Sequence, residues 1–541
     1  MKVFFVRLLN MCRREVGIAL AYIRYRKQFC AYREIAKHNC SHEGRVLFVG
    51  GQGMNILWGQ IWTYLSLAFV MKHIQPCALL LRQQRVLKLY FGLVNAKIYQ
   101  LESVMASEPD LFDKSRIDCC TTVEQWKMLH YKNMPVGQMV LSTYCRYSAT
   151  GFIDPTRKEL KEFASKWMPD ICRAYEAALK LYRSQGITAA VFTETFIEEY
   201  GGFYYAALEC GLDVIKTSGT VRDDAIVVQR RSWESQRLHH AALTNSAWEV
   251  VRQLPNYEKM RSEVEKNFED RYSDKWLRSM RNQKGASNMS RASGRELLGV
   301  PDDRKVVIVF SHILYDSLFH FGDELFQDYA TWLIETIRIA INNPDVIWFI
   351  KLHPSNLWRG EFKSMLGGRY EEEQIISQHI GELPAHIRLV YADTPISPLG
   401  WYQIADYGIS VRGTAGLEMA CLGKPVIAAG TGRYEGNGFT IDPGSVEEYR
   451  SILMSLPEVE PLTAEQTELA VRYAHGLFNM KPFTLTSLEP KVVFGKRNVS
   501  SSDDITYEPC SLKFEGVLPK ELLAFVEYIS DKQQIDLLSE G

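Results

Sequence analysis

The sequence predicts an α/β protein made of two successive doubly wound domains that face each other across a cleft. Three observations carry this prediction. Short apolar runs alternate with helical patterns at the spacing of a parallel sheet covered on both faces. That alternation gives way to a polar, charged stretch between about Asn256 and Arg304, then restarts abruptly at Lys305. The length, 541 residues, suits a few domains of roughly 100–200 residues each, with large buried cores.

Taken in order, residues 1–40 differ from the rest. They hold nine Lys/Arg and two acids, a net +7, with Phe4, Phe5, Leu8, Val16, Ile18 and Ile23 interleaved. A basic amphipathic helix of this kind suits an anionic membrane surface, or equally a solvated position packed on the domain behind it. Arg7, Arg13 and Arg14 interrupt the apolar stretch and no small-residue cleavage site follows, so no secretory signal is expected. The expectation is a cytoplasmic protein, peripheral on the cytoplasmic face of the inner membrane if this helix meets lipid.

Residues 41–300 read as the first Rossmann-like domain with its connecting region. Its strands are expected at Val46–Val49, Cys77–Leu81, Ala189–Phe192 and Asp213–Lys216. No charge occurs between Arg45 and Lys72, a length sufficient to cross a bilayer. Glycines break the run, however, and a strand, a turn and a buried helix account for it better. The turn, Gly51-Gln52-Gly53, has Ile56 where a dinucleotide fingerprint needs its third glycine, and no acid follows the next strand, so NAD binding is disfavoured. Gly51, Gln52 and Gly53 are candidates for approach to a donor phosphate or for shaping an acceptor pocket.

Residues 301–480 form the second series. Strands are expected at Lys305–Phe310, Asp345–Ile350, Ile387–Tyr391, Tyr407–Val411 and Pro425–Ala429, with a helix from about Glu324 to Asn342. Residues 481–541 are a weakly patterned tail with a final helix from about Pro519 to Ser530.

Composition excludes several classes. With 63 Lys+Arg against 64 Asp+Glu and 46% hydrophobic residues, the chain is neither disordered nor a global binder of nucleic acid. Its eleven cysteines are scattered without a CxxC, which fits a reducing compartment and shows no metal-ligand spacing. No cofactor is expected, and no DxD stands at a strand end, so no bound divalent metal is indicated.

Ligands of open α/β sheets bind beyond the carboxyl ends of strands, and three motifs fall there. Lys351-Leu352-His353-Pro354-Ser355 follows a buried strand. Its cation and imidazole alternate with Leu352 and suit a phosphate. Arg412-Gly413-Thr414-Ala415-Gly416-Leu417-Glu418 is a turn of small residues entering a helix, where backbone N–H groups and the Thr414 hydroxyl can reach an anion and Glu418 a ribose. Gly430 to Thr440, holding Arg433, Tyr434 and Gly438, is a glycine-rich loop able to pack closely over a ligand. Transfer to a hydroxyl also benefits from a general base. Glu194 and Asp316, each after a strand, are the candidates, with His353 as a further catalytic group.

Together Lys351-Leu352-His353-Pro354, Pro395 and Ser397 ahead of Gly400, Arg412 through Glu418, and Gly423-Lys424-Pro425-Val426 with Tyr434, Gly436, Gly438 and Phe439 resemble the bacterial capsule polysaccharide biosynthesis family, which includes Kdo transferases. The resemblance spans roughly residues 305–450, about a quarter of the chain. It implies a GT-B fold with the nucleotide held by the C-terminal domain and the acceptor by the N-terminal one. It carries nucleotide contacts, CMP or a related nucleotide, onto Lys351, His353, Pro354, Thr414 and Glu418. The expected function is sugar transfer from a nucleotide-sugar donor to a glycan or glycolipid. A nucleotide-sugar epimerase, a polyol-phosphate transferase and a non-catalytic assembly partner remain the alternatives.

Overall fold

The computed structural model describes residues 16–30, 32, 43–50, 55–273, 275–276, 285–354, 369–492, 505–510 and 518–539. The strands are β1 (Gly44–Val49), β2 (Ile74–Leu80), β3 (Lys97–Gln100), β4 (Ile187–Phe192), β5 (Asp213–Gly219), β6 (Ala225–Arg231), β7 (Lys305–Phe310), β8 (Val346–Lys351), β9 (Ile387–Val390), β10 (Tyr407–Ser410), β11 (Val426–Ala428), β12 (Phe483–Thr484), β13 (Leu488–Val492) and β14 (Ile505–Pro509).

Two sheets organise the molecule. The first runs β12-β6-β5-β4-β1-β2-β3 and the second β11-β10-β7-β8-β9. Strands β1 to β5 are parallel, as are all five of the second sheet. In each sheet the chain starts at the centre, moves outward over two strands, then returns to the other side of its starting strand. That reversal creates a crevice at the carboxyl ends of β1/β4 and of β7/β10, where a doubly wound sheet binds its ligand. The fold is thus two Rossmann-like units of GT-B type facing a cleft.

The sequence shows why the strands form. In β7, Val306 and Ile308 enter one cluster with Phe349 and Trp401, while Val307 and Val309 enter another with Trp332 and Trp348. Burial on both faces explains the unbroken apolar run. The uncharged stretch after Arg45 resolves into β1 and the helix Ile56–Met71, whose first turn is capped by the Asn55 side chain accepting from the Trp58 amide at 3.3 Å. No helix among the described residues is long and apolar enough to cross a membrane.

Some boundaries differ from the pattern. The helix expected from Glu324 begins at Tyr329, because the Asp328 carboxylate caps it through the Thr331 amide at 2.6 Å. Glu324 is instead drawn into an ion pair with Arg412 at 2.9 Å. The polar stretch after residue 256 is helical over Tyr257–Arg271 and packs with Val471, Ala474 and Phe478.

The tail returns to the first sheet. β12 joins it antiparallel beside β6, and the final helix, Lys520–Ser530, sets Phe525 edge-on to Phe69 at 5.9 Å. A buried knot fixes its end: Asp536 pairs with Lys481 at 3.0 Å and accepts from the Thr244 hydroxyl and the Gln229 amide, both at 2.7 Å.

Candidate functional site

A cleft of about 410 Å³ opens between the two sheets. From the second sheet it is lined by Ser311, His312 and Asp316 after β7, by Lys351, His353 and Pro354 at the end of β8, and by Gly413, Thr414 and Ala415 after β10. His239 and His240, beyond β6, together with Arg271, Trp276, Phe321 and Arg433, complete the wall. The cleft therefore takes in the crevice at the carboxyl ends of β7 and β10.

Its floor is built from the loops after β7 and β10. The Ser410 hydroxyl accepts from the Gly413 amide at 2.9 Å, shaping the turn into the Thr414–Ala420 helix. His312 Nε2 accepts from the Arg412 amide at 3.2 Å, which places the ring proton on Nδ1. Burial, then the charge of Arg412, holds His312 well below the ordinary histidine range, so it is a neutral ring at physiological pH. Ser311 donates to the buried Glu372 at 2.9 Å. The loop also carries Ser317 and Phe319 at φ 64° and 58°, a left-handed backbone that side chains adopt only when their surroundings hold them there.

The charged groups of the lining are the cations Lys351, Arg271 and Arg433 against the single carboxylate of Asp316. Lys351 is buried, and burial lowers its pKa to about 8. Burial likewise pulls the Arg433 guanidinium down to about 10, leaving it charged. Arg433 donates to the Arg412 carbonyl at 2.8 Å, and its Nε, shielded from solvent, has no hydrogen-bond partner among the described residues. Desolvated positive charge of this kind favours an anionic ligand, which restores what burial removed.

The expected nucleotide contacts separate into two groups. Lys351, His353, Pro354, Gly413, Thr414 and Ala415 line the cleft; Arg412, Gly416, Glu418, Tyr434 and Gly438 are not in its lining. Arg412 is held by Glu324. Glu418 is fully buried, with Arg271 at 2.8 Å on one oxygen and the Tyr272 hydroxyl donating to the other at 2.7 Å. The site of the expected ribose contact is thus occupied by protein groups, and Glu418 orients Arg271, which also donates to Thr414 Oγ1 at 3.0 Å. Tyr434 donates to the Gly413 carbonyl at 2.7 Å and braces the turn from beneath. A side chain on Gly416 would place its Cβ 2.2 Å from that hydroxyl. Ser355, and the Gly51-Gln52-Gly53 turn after β1, lie outside the described residues.

The glycine-rich loop closes on a different partner from the one its composition suggests. Gly432, at φ 93°, lies against Gly322, at φ 50°; a Cβ on Gly322 would meet the Thr431 carbonyl oxygen at 2.2 Å. The Gly432 carbonyl accepts from the His239 amide at 2.8 Å, and the Gly322 amide donates to the Arg237 carbonyl at 2.9 Å. The loop therefore fastens the segment beyond β6 to the second sheet.

Across from the cations lies a mixed cluster that sequence patterning missed. Lys216, in β5, is buried, donates to Thr195 Oγ1 at 3.2 Å and lies 5.4 Å from the centre of the Phe321 ring. Burial, then the neighbouring Arg231, lowers it to about 7, while Glu194 opposes the shift. Thr195 also meets His320 Nε2 at 3.2 Å. Glu194 is half-buried after β4; burial raises its pKa, while Lys216 and Arg146 pull it back and Asp316 pushes it further up. Glu194 and Asp316, 122 residues apart in the chain, thus converge on one interdomain cluster. Lys216, within β5, His320, in the loop after β7, and Arg146, in the last turn of a helix, have no local motif that signals them. Among the described residues no three His, Cys, Asp or Glu side chains gather as a metal-ligand set.

No protein-family model matches the chain, and no curated protein matches it. Solved structures do. A β-Kdo 2,4 transferase, KpsC of Thermosulfurimonas dismutans, is 14% identical over 55% of this chain and 85% of that one, with a TM-score of 0.30. The UDP-GlcNAc 2-epimerase of Neisseria meningitidis, bound to UDP-GlcNAc, is 13% identical over 80% of this chain and 96% of that one, at 0.29. MurG of Acinetobacter baumannii is 11% identical over 80% and 94%, at 0.24.

Proposed function

We propose that this protein is a glycosyltransferase that moves a sugar from a nucleotide-activated donor, CMP-linked and of the acidic Kdo type, to a glycan or glycolipid acceptor in surface polysaccharide synthesis. One observation carries the reading: desolvated Lys351 and Arg433, His353 and the small-residue turn at Thr414 line an interdomain cleft together with Asp316, whose carboxylate acts electrostatically on Glu194 of the other sheet.

Each group then has a task. Lys351 and Arg433 meet the negative charge that develops on the departing nucleotide phosphate, a service that preorganised cations perform best when water is excluded. His353, beside them, donates to the same phosphate. Glu194 accepts the proton of the attacking hydroxyl. The reading assigns this charge compensation to side chains rather than to a divalent metal, so turnover should persist in EDTA.

Melting curves with CMP, CDP, UDP and GDP test the donor. A nucleotide that binds only the folded protein stabilises it by about 2.7 kcal/mol at 100 times its dissociation constant. A shift with CMP supports the reading; a shift with UDP alone replaces the donor, and no shift with any nucleotide favours a non-catalytic role. Sugar released from the donor without an acceptor product points to an epimerase instead. His353→Ala should lower turnover at least tenfold with the melting temperature unchanged, and unaltered kinetics would remove His353 from the site.

The pH dependence of kcat/KM follows from Lys351. Because burial holds this amine at about 8, its charge is present below that pH and lost above it. The alkaline limb of kcat/KM should therefore fall near pH 8, and Lys351→Arg should move that limb out of range. A limb unaffected by the substitution would mean that another group titrates there.

The same reading places the protein on an anionic membrane surface. In the helix at residues 16–30, Tyr25 and Phe29 face the core, while Val16, Leu20 and Ile23 are 59%, 46% and 58% exposed along one line, flanked by exposed Arg24 and Lys27. An apolar stripe bordered by cations suits the lipid interface. Sedimentation with phosphatidylglycerol vesicles, weakened by Leu20→Glu with Ile23→Glu, is the check; equal binding by the variant sinks the contact.

A further inference from the structure

Beside the cleft, on the side of the first sheet, three aromatic side chains gather at the surface. Tyr147 ends the Val136–Ser148 helix and is 44% exposed. Phe163 and Trp167, one turn apart in the Lys158–Gln185 helix, are partly buried. The Phe163 and Trp167 rings stack at 5.6 Å, and Tyr147 lies 5.4 Å from Trp167 and 6.0 Å from Phe163. Core packing does not require three large rings with one of them nearly half in water. Partly exposed rings gathered at the surface, with the Lys166 ammonium 5.9 Å from the centre of the Trp167 ring, form a place where a ligand can lie.

The neighbours identify what it binds. The Tyr147 hydroxyl donates to Glu198 Oε1 at 2.6 Å. Glu198 opens the Glu198–Glu209 helix in a left-handed backbone, φ 54°, and is 5% exposed. Held there, its carboxylate stands at the end of the aromatic shelf. Glu194, Glu198 and Arg146 act on one another electrostatically, and Arg146 also feels Asp316 of the cleft wall. Directly after Tyr147 the chain turns at Ala149 and packs Gly151 so closely on Leu314 that a Cβ there would lie 2.5 Å from the Leu314 carbonyl. The shelf therefore continues into the loop that carries Asp316.

Flat apolar faces beside a carboxylate match a pyranose, which presents C–H groups on its face and hydroxyl donors at its rim. We propose that Tyr147, Phe163 and Trp167, with the Glu198 carboxylate, form a sugar-ring subsite that receives the acceptor glycan, a role that rests on the reading of the cleft as a site of glycosyl transfer. A sugar ring lying against this shelf would sit beside the electrostatically linked Glu194, Glu198 and Arg146, so the shelf positions the accepting sugar.

The test uses binding, independent of turnover. Saturation-transfer NMR from the full-length protein to maltohexaose, cellohexaose, chitohexaose and hexagalacturonate should show contact with ring protons of at least one of them. Trp167→Ala and Tyr147→Ala should each weaken that contact at least tenfold, and Tyr147→Phe, which removes only the bond to Glu198, by less. The shift in melting temperature with CMP should be the same in all variants, which also shows that they are folded. Loss of the CMP shift with saccharide binding intact would remove the donor assignment and leave the subsite standing. Failure of the protein to contact any of the four saccharides, or contact undiminished in Trp167→Ala and Tyr147→Ala, would overturn the subsite.

Discussion

Glu194→Gln should lower kcat by about 10²–10⁴-fold, the range that a positioned general base contributes, while leaving the CMP-induced melting shift intact. The glutamine keeps the shape and the hydrogen-bonding reach of the side chain but cannot take a proton. Glu194 is the stronger of the two carboxylates for this task because its surroundings are built to tune it. Burial raises its pKa toward the working range of a base, and Lys216 and Arg146 keep the ionised form accessible. With a raised pKa, Glu194 is active when deprotonated, so the acid limb of kcat should be lost together with the activity. Asp316 faces the same cluster from the other sheet and shares the charge of Arg146. Asp316→Asn should therefore act through Glu194 and cost less. Should Asp316→Asn cause the larger loss while Glu194→Gln changes kcat less than threefold, the two roles are exchanged.

Lys216 makes a linked case. At a pKa of about 7 it is partly neutral at physiological pH, and under the proposed role of Glu194 it is the neighbour able to share the proton taken from the acceptor hydroxyl.

How much of this was legible in the sequence depends on whether the signal is local. The two sheets were, because β1, β4, β7 and β8 are buried on both faces and must be continuous apolar runs. The strand-end motifs were as well: Lys351, His353 and Thr414 follow such runs directly, and the topology puts strand ends at the ligand crevice. β6 was not, since it ends in Gln229-Arg230-Arg231, a polar sequence that patterning assigns to the surface. These residues are buried because the tail covers them, and Arg230 bonds both Asp213, at 2.6 Å, and the backbone of Tyr528, at 2.9 Å. No local pattern announces a partner about 300 residues away. The same holds for Glu418, whose position in the first turns of a helix suggested a ligand contact, whereas Arg271 arrives from a distant helix to neutralise it. Tyr147 and Trp167 illustrate the converse, since each reads alone as an ordinary amphipathic residue and only their meeting across two helices makes a surface.

The tail also supplies the largest expected loss of stability. Asp536→Ala removes the partner of Lys481, whose ammonium is fully buried and otherwise meets the Ala242 carbonyl. Breaking one side of a buried pair leaves an uncompensated charge and costs about 3–5 kcal/mol. Here the Thr244 amide and hydroxyl and the Gln229 amide lose their acceptor in the same step. The midpoint of urea unfolding should fall accordingly, and the double variant Lys481→Met with Asp536→Leu should recover a large part of the loss, since it removes the charge rather than stranding it. Equal stability of Asp536→Ala and the wild type would show that water, not Asp536, satisfies Lys481. The damage should also be regional. The segment Asp536 closes holds β12 against β6 and the final helix against Ile56–Met71, so amide exchange should accelerate across residues 225–231 and 518–539 while β7 to β10 keep their protection. Because the cations of the cleft stand mainly on the second sheet, nucleotide binding should survive conditions that already release the tail, and the loss of transfer in this variant should then appear in the acceptor's KM before the donor's.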